Sequence, residues 1–253
     1  MQNNCKIIAI TQARSNSTRL PNKVKLLINE LPLLTYHLQR AKQSKLINDL
    51  CVATTTSNED KAIVEIAKQN NCLYFQGSED DVLERYYQAA LKFSANIIVR
   101  ITSDCPLIDP KIIDLVITNF LNSNYDYYSN VIPSTFPDGI DVEIFKFSAL
   151  EKAYKDATLK SEREHVTPYI WKNSTLKNSS LFVGGNLLNE KNYSNVRLTV
   201  DTKEDFELIE LLINKLGIDK TWQEYANYVI DNKININTMY NRNEGYTKSL
   251  KND

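Results

Sequence analysis

The first strand-like run of the chain leads into Thr11-Gln12-Ala13-Arg14-Ser15-Asn16-Ser17-Thr18-Arg19-Leu20-Pro21-Asn22-Lys23, a stretch with three cations, four hydroxyls and no acid. Guanidinium, ammonium and hydroxyl donors suit a polyphosphate, because each phosphate brings negative charge and several acceptor oxygens. A solvated basic loop is the competing reading. Position favours the anion, since ligands of open parallel sheets bind outside the carboxyl ends of the strands. Two lone carboxylates hold similar places: Asp104 in Thr102-Ser103-Asp104-Cys105-Pro106, and Asp201 before Thr202. One or two carboxylates beside phosphate oxygens and water suit Mg2+, which seldom takes a full protein cage. Asp104 as a turn residue and Asp201 as a helix cap are the alternatives, and spacing alone leaves both open.

The elements that must position these groups follow from periodicity. Short apolar runs at Lys6–Ile10, Leu50–Thr54, Cys72–Phe75 and Asn96–Ile101 read as buried strands. Between them, helical spacing marks Pro32–Gln43, a segment opened by Ser57-Asn58-Glu59-Asp60 as a capping box, Asp80–Ser94, and then Pro110–Leu121. Such alternation predicts right-handed crossovers and an α/β fold, a mainly parallel Rossmann-like sheet with helices on both faces. From Tyr125 the pattern changes. Tyr125–Asn130 and Val142–Phe145 read as strands around a turn-rich stretch, followed by helices near Ser148–Ala157 and Glu162–Trp171. Asn195–Val200 reads as a late strand and Lys203–Leu216 as a helix. With no linker and no internal repeat, residues 1–253 form one expected domain with an excursion at 125–195.

Composition narrows the classes. Of 253 residues, 42% are hydrophobic and 24% charged, enough apolar material for a real core. Thirty basic against thirty-one acidic residues leave none of the basic excess expected of a nucleic-acid binder. No apolar stretch reaches the roughly 18–20 residues of a membrane span. The opening Met1-Gln2-Asn3-Asn4 lacks the layout of a signal peptide, so a cytoplasmic location is expected. Cys5, Cys51, Cys72 and Cys105 are isolated, and His37 and His165 are the only histidines, which leaves little for a zinc site. Neither GxGxxG nor GxxxxGK[ST] occurs among only six glycines, which disfavours dinucleotide and P-loop enzymes.

QARSNSTRLPNKV, GSEDDVLERYY, VRITSDCPLIDP, FPDGIDVE, EREHVTPYI, VRLTVDTKEDF and the closing NEGYTKSL together resemble the spore-coat-polysaccharide type of cytidylyltransferase. These proteins are related to acylneuraminate and 3-deoxy-manno-octulosonate cytidylyltransferases, and the resemblance runs from about residue 6 to residue 250. It departs at Asn22, where glycine commonly follows the proline, and at Asn16; Asn tolerates left-handed backbone better than other non-glycine residues. The resemblance implies a three-layer sandwich of the nucleotide-diphospho-sugar transferase type. It also implies transfer of CMP from CTP to a small acidic acceptor, with pyrophosphate released.

By the same resemblance, Arg14, Arg19 and Lys23 hold the triphosphate, with Ala13, Ser15, Ser17, Thr18 and Thr102 around it. Arg14, Lys23 and Asp104 are the implied catalytic set. Gly77 and Ser78 lie along the nucleoside, and Asp81 and Arg85 are weaker candidates nearby. Asp104 and Asp201 carry Mg2+, and Asp138, Asp141, Glu143, Arg163 and His165 line the acceptor pocket. A homodimer through the excursion is expected, on the crowding of Tyr125, Tyr127, Tyr128 and Phe136. The alternatives are transfer from dTTP or GTP, a glycosyltransferase of related architecture, and a nucleotide-binding protein without catalysis.

Overall fold

The computed structural model describes residues 5–17, 19–234 and 242–253. Strand β1 (Ile7–Gln12) is buried on both faces, so its apolar run shows no alternation. After it come a small hairpin, β2 (Leu27–Ile28) and β3 (Leu31–Pro32), and helix α1 (Leu33–Ala41). Alternation then follows: β4 (Asp49–Thr55), α2 (Lys61–Gln69), β5 (Leu73–Gly77), α3 (Val82–Lys92), β6 (Ile97–Thr102) and α4 (Pro110–Leu121). The second half adds β7 (Tyr127–Ser129), β8 (Glu143–Lys146), α5 (Phe147–Asp156), α6 (Lys160–His165), α7 (Pro168–Lys172) and β9 (Gly184–Asn186). Helices α8 (Lys203–Leu216), α9 (Trp222–Asp231) and α10 (Glu244–Ser249) complete the described chain.

Seven strands form one sheet in the order β5-β4-β1-β6-β8-β7-β9. Pairing is parallel from β5 through β6, and β8 is antiparallel to both β6 and β7. The α/β sandwich expected from the alternation is therefore present. The excursion does not stand apart, because β7, β8 and β9 extend the same sheet.

Side chains of a strand alternate between faces, and here the two sets enter two cores. Ala9, Val52, Val99 and Ile101 pack with α1, α2, α4, α8 and α9. Ile8, Ile10, Cys51, Ala53 and Ile98 pack with α3, α5 and α7. Three layers result.

Three expectations need correction. Asn195–Val200 is not a strand; it makes one isolated bridge, Arg197 with Asp138. Glu162–Trp171 is two short helices, broken where Val166 takes φ 72°, a region hostile to a β-branched side chain. Ser57 caps a 3-10 turn by accepting from Glu59 N–H at 3.3 Å, but Asp60 does not complete a capping box. Among the described residues no helix is long and apolar enough to cross a membrane.

Candidate active site

The basic loop is held by a buried acid that sequence reading missed. The Asp60 carboxylate accepts from Ser15 N–H at 2.7 Å and from the Thr54 and Thr55 hydroxyls at 3.1 and 2.6 Å. Burial opposes its ionisation, but these donors win and hold its pKa below the usual carboxylate value. Ala13 N–H donates to Ala53 carbonyl at 3.1 Å, which ties the loop entrance to β4. Farther on, Asn22 sits at φ 59°, ψ 20°, the left-handed conformation that Asn supplies in place of glycine. That turn aims Lys23 inward.

Lys23 Nζ donates to Asp104 Oδ2 at 2.8 Å, Asp201 Oδ1 at 2.8 Å and Val200 carbonyl at 2.9 Å. Burial would lower its pKa, yet the two carboxylates overcome that and raise it. Burial likewise opposes charge on Asp104, and the Lys23 ammonium holds its carboxyl well below the usual range. Arg19 Nη2 meets Asp201 at 2.8 Å. Arg197 is the hub behind this cluster. It donates to Asp205 at 2.8 and 3.0 Å, to Asp138 at 2.6 Å and to Asp201 at 2.9 Å. The competing role for Asp201 falls away, since Thr202 caps α8 in a capping box with Asp205.

Asp104 and Asp201 thus converge on one cation-sized point. Among the described residues no three His, Cys, Asp or Glu side chains gather as a metal cage. A two-carboxylate pair that leaves positions for phosphate oxygens and water fits Mg2+.

Beside the pair opens a cleft of about 690 Å3 that Asp104, Asp138, Asp141, Glu143, His165, Arg19, Thr102 and Asp201 all line. Gly139 holds one wall against its neighbour: at φ 103° it packs so tightly that a Cβ would stand 2.6 Å from the Leu198 carbonyl group. Asp141 is pushed up to about 7 by burial and by Asp138 and Glu143, against the pull of Arg242, with which it pairs. Glu143 pairs with Arg100 and accepts from Tyr127 hydroxyl at 2.6 Å, so both its oxygens are engaged. His165 ends α6, and burial and Arg100 lower its pKa to about 4, which keeps it neutral.

Other expected residues fall elsewhere. Arg163 does not reach the cleft: it bonds Asp81 at 2.6 Å and the carbonyls of Tyr154 and Ala157 at 3.1 and 3.0 Å. Its guanidinium is spent on a junction between α3 and α5. Ser15 gives its hydroxyl to Glu59 carbonyl at 2.9 Å, so its role is to shape the loop. Ser17 turns back onto Ser15 through its N–H at 2.9 Å, and Arg14 is exposed on the loop. Thr18 lies outside the described residues. Ser78 accepts from Asp81 N–H at 3.1 Å, and Gly77 stands against Phe75 and the buried Arg85, where a Cβ would crowd both. His37 is a core residue, its Nδ1 bonded to Cys105 carbonyl at 2.9 Å. Arg100 and Arg242 were missed because each lies far in sequence from the acid it serves.

The expected dimer rings are used internally. Tyr127 and Phe136 are buried, Phe136 lies edge-on to Trp222 at 5.3 Å, and Tyr125 stacks on Tyr128 at 5.0 Å. The excursion instead exposes Leu181, Val183 and Leu188 beside β9.

Comparison with known proteins identifies the family. The Cytidylyltransferase family model matches residues 8–234. The uncharacterized protein MJ1063 of Methanocaldococcus jannaschii is 44% identical over 205 residues, 80% of this chain and 81% of that protein. The spore coat polysaccharide biosynthesis protein SpsF of Bacillus subtilis is 30% identical over 221 residues, 83% and 88% of the two chains. The solved structure of a cytidylyltransferase from Leptospira borgpetersenii superposes with a TM-score of 0.86 at 36% identity, covering 94% of this chain and all of that one. The chain belongs to the cytidylyltransferase family.

Proposed function

We propose that this cytidylyltransferase joins CMP from CTP to an acidic, polyhydroxylated small molecule, releasing pyrophosphate, for the assembly of surface polysaccharide or a related glycan. One observation carries the reading: a cationic loop after β1 and the carboxylates Asp104 and Asp201 meet at the carboxyl ends of the strands, beside a cleft sized for a second small substrate. The triphosphate binds along Arg14, Arg19 and Lys23, with backbone groups of the loop around it. Lys23, freed from the carboxylates, follows the phosphate charge. Mg2+ held by Asp104 and Asp201 would neutralise charge on the phosphate oxygens.

An acceptor oxygen then forms a bond to the α-phosphorus in line. The bond from that phosphorus to the α–β bridging oxygen breaks, pyrophosphate leaves with the electron pair, and the acceptor hydroxyl gives up its proton to solvent. Positioning and charge neutralisation carry such a step, which needs no covalent nucleophile on the protein. In the cleft, Asp138 and Asp141 face the acceptor hydroxyls, while His165 offers a neutral imidazole and Lys177 a cation at the rim. Screening four nucleoside triphosphates against a panel of sugar acids, with pyrophosphate as the readout, tests this. Pyrophosphate from CTP with an acid sugar supports it; release from another triphosphate with a sugar phosphate favours the neighbouring class. A homodimer through the exposed edge at β9 belongs to the same proposal.

A further inference from the structure

The C-terminal residues Arg242–Tyr246 return across the acceptor side of the cleft, and Asn243, Glu244, Gly245 and Tyr246 are part of its wall. They are anchored from three directions. Arg242 donates to Phe136 carbonyl at 2.8 Å and pairs with Asp141. The Tyr246 ring stands edge-on to His165 and Trp171, with centroids 5.3 and 5.9 Å away. Beyond it, Asp253 accepts from Ser161 N–H at 2.8 Å and Ser161 hydroxyl at 2.6 Å, fixing the segment to the start of α6. Glu244 also reaches the nucleotide loop, 3.7 Å from Arg19.

Seven buried side-chain polar atoms among the described residues have no hydrogen-bond partner, and four surround this one wall: Arg100 Nε, His165 Nε2, Arg242 Nε and Glu244 Oε2, the last holding only the long ion pair with Arg19. Buried donors and acceptors without partners are costly and rare, so their concentration here marks groups kept for a ligand. They offer both donors and acceptors, spread around an aromatic surface made by Tyr246 and Trp171. That combination matches a sugar, whose ring face is apolar and whose hydroxyls both give and accept hydrogen bonds.

We propose that Glu244 and Tyr246 determine which acceptor this enzyme takes, with the ring of a polyhydroxylated sugar acid lying against Tyr246 and its hydroxyls reaching Glu244 and His165. The proposal rests on the assignment of this cleft to the acceptor.

Its test is saturation-transfer NMR with 3-deoxy-manno-octulosonate, and then N-acetylneuraminate, as the probe. CTP is present, and EDTA stops turnover. Calorimetry on the same samples gives the affinity for CTP. Wild-type protein should transfer saturation to the ring protons of at least one probe. Tyr246→Ala and Glu244→Gln should each cut that transfer at least fivefold without loss of CTP affinity, and Tyr246→Phe should retain it. Glu244→Gln keeps the test open if Tyr246→Ala fails to fold. Unchanged transfer in both variants, or a matching loss of CTP affinity, overturns the proposal. So does wild-type protein that binds CTP and neither acid. Wild-type protein that binds no CTP would refute the underlying nucleotide assignment instead.

Discussion

Replacing Arg197 by methionine keeps the length and apolar stem of the side chain and removes one charge from among three carboxylates. In the native protein that guanidinium makes four bonds of 2.6–3.0 Å, to Asp138, Asp201 and Asp205. Asp205 and Arg197 are both buried, so neither can turn to water when the other is lost. Breaking a buried pair by deleting one partner costs about 3–5 kcal/mol, mostly through the stranded charge. In a chain of this size, each kcal/mol moves the melting temperature by roughly 2–4 °C, so a fall of about 6–20 °C is expected. Arg197→Lys keeps a charge but cannot fork between acids, and should lose about 1–3 kcal/mol. Urea unfolding followed by circular dichroism measures both. The pH dependence has a definite sign. Without Arg197 the stranded carboxylates have raised native pKa values, so the folded variant takes up protons that the unfolded chain does not. The gap to wild type should therefore narrow as pH falls toward about 4, near the unfolded Asp value. A loss under about 1 kcal/mol at pH 7, or a gap that does not change with pH, would refute the hub.

Lys23→Ala should lower kcat/KM for CTP about 10–150-fold, the equivalent of one charge-assisted contact worth roughly 1.5–3 kcal/mol; pyrophosphate kinetics within threefold of wild type would make the lysine a structural counter-ion only. His165, held near 4 against its ordinary 6.5, contributes stability that is full above about 6.5 and lost as pH falls through 4. His165→Gln should flatten that acid limb, worth at most about 3 kcal/mol, and identical urea midpoints across pH 7 to 4 in both proteins would contradict the assignment. Light scattering at micromolar concentration should report twice the chain mass, and Val183→Asp should return it to one; a wild-type monomer removes the dimer.

Much of the frame was legible because its signals are local. Apolar runs such as Lys6–Ile10 and Asn96–Ile101 announce buried strands, and Pro110 after Asp109 opens α4 at its true first residue, capped by Asp109 accepting from Lys111 N–H. The loop from Thr11 to Lys23 stood out through charge and position, and its convergence with Asp104 followed from the strand-end rule; Asp201 joins them although the segment before it is not a strand. Pairings made by the tertiary fold were not legible. Nothing near Arg197 in sequence indicates Asp138, fifty-nine positions away, or that the apparent strand Asn195–Val200 would run beside the sheet with a single bridge. Arg163 misled for the same reason: its neighbour His165 lines the cleft, but a helical turn sends the arginine to Asp81. The dimer rings misled because aromatic crowding marks interior and interface alike.

The central claim is tested most directly by incubating the protein with CTP labelled at the α-phosphorus, Mg2+ and the sugar acids, and following label and pyrophosphate together. Label should pass to the acceptor with one unlabelled pyrophosphate per transfer. Asp104→Asn and Asp201→Asn should each fall at least about a hundredfold while melting as folded proteins, because each removes the charge of a carboxylate proposed to hold Mg2+. Label that stays in CTP with every acid, or either variant turning over near the wild-type rate at saturating Mg2+, would contradict the account.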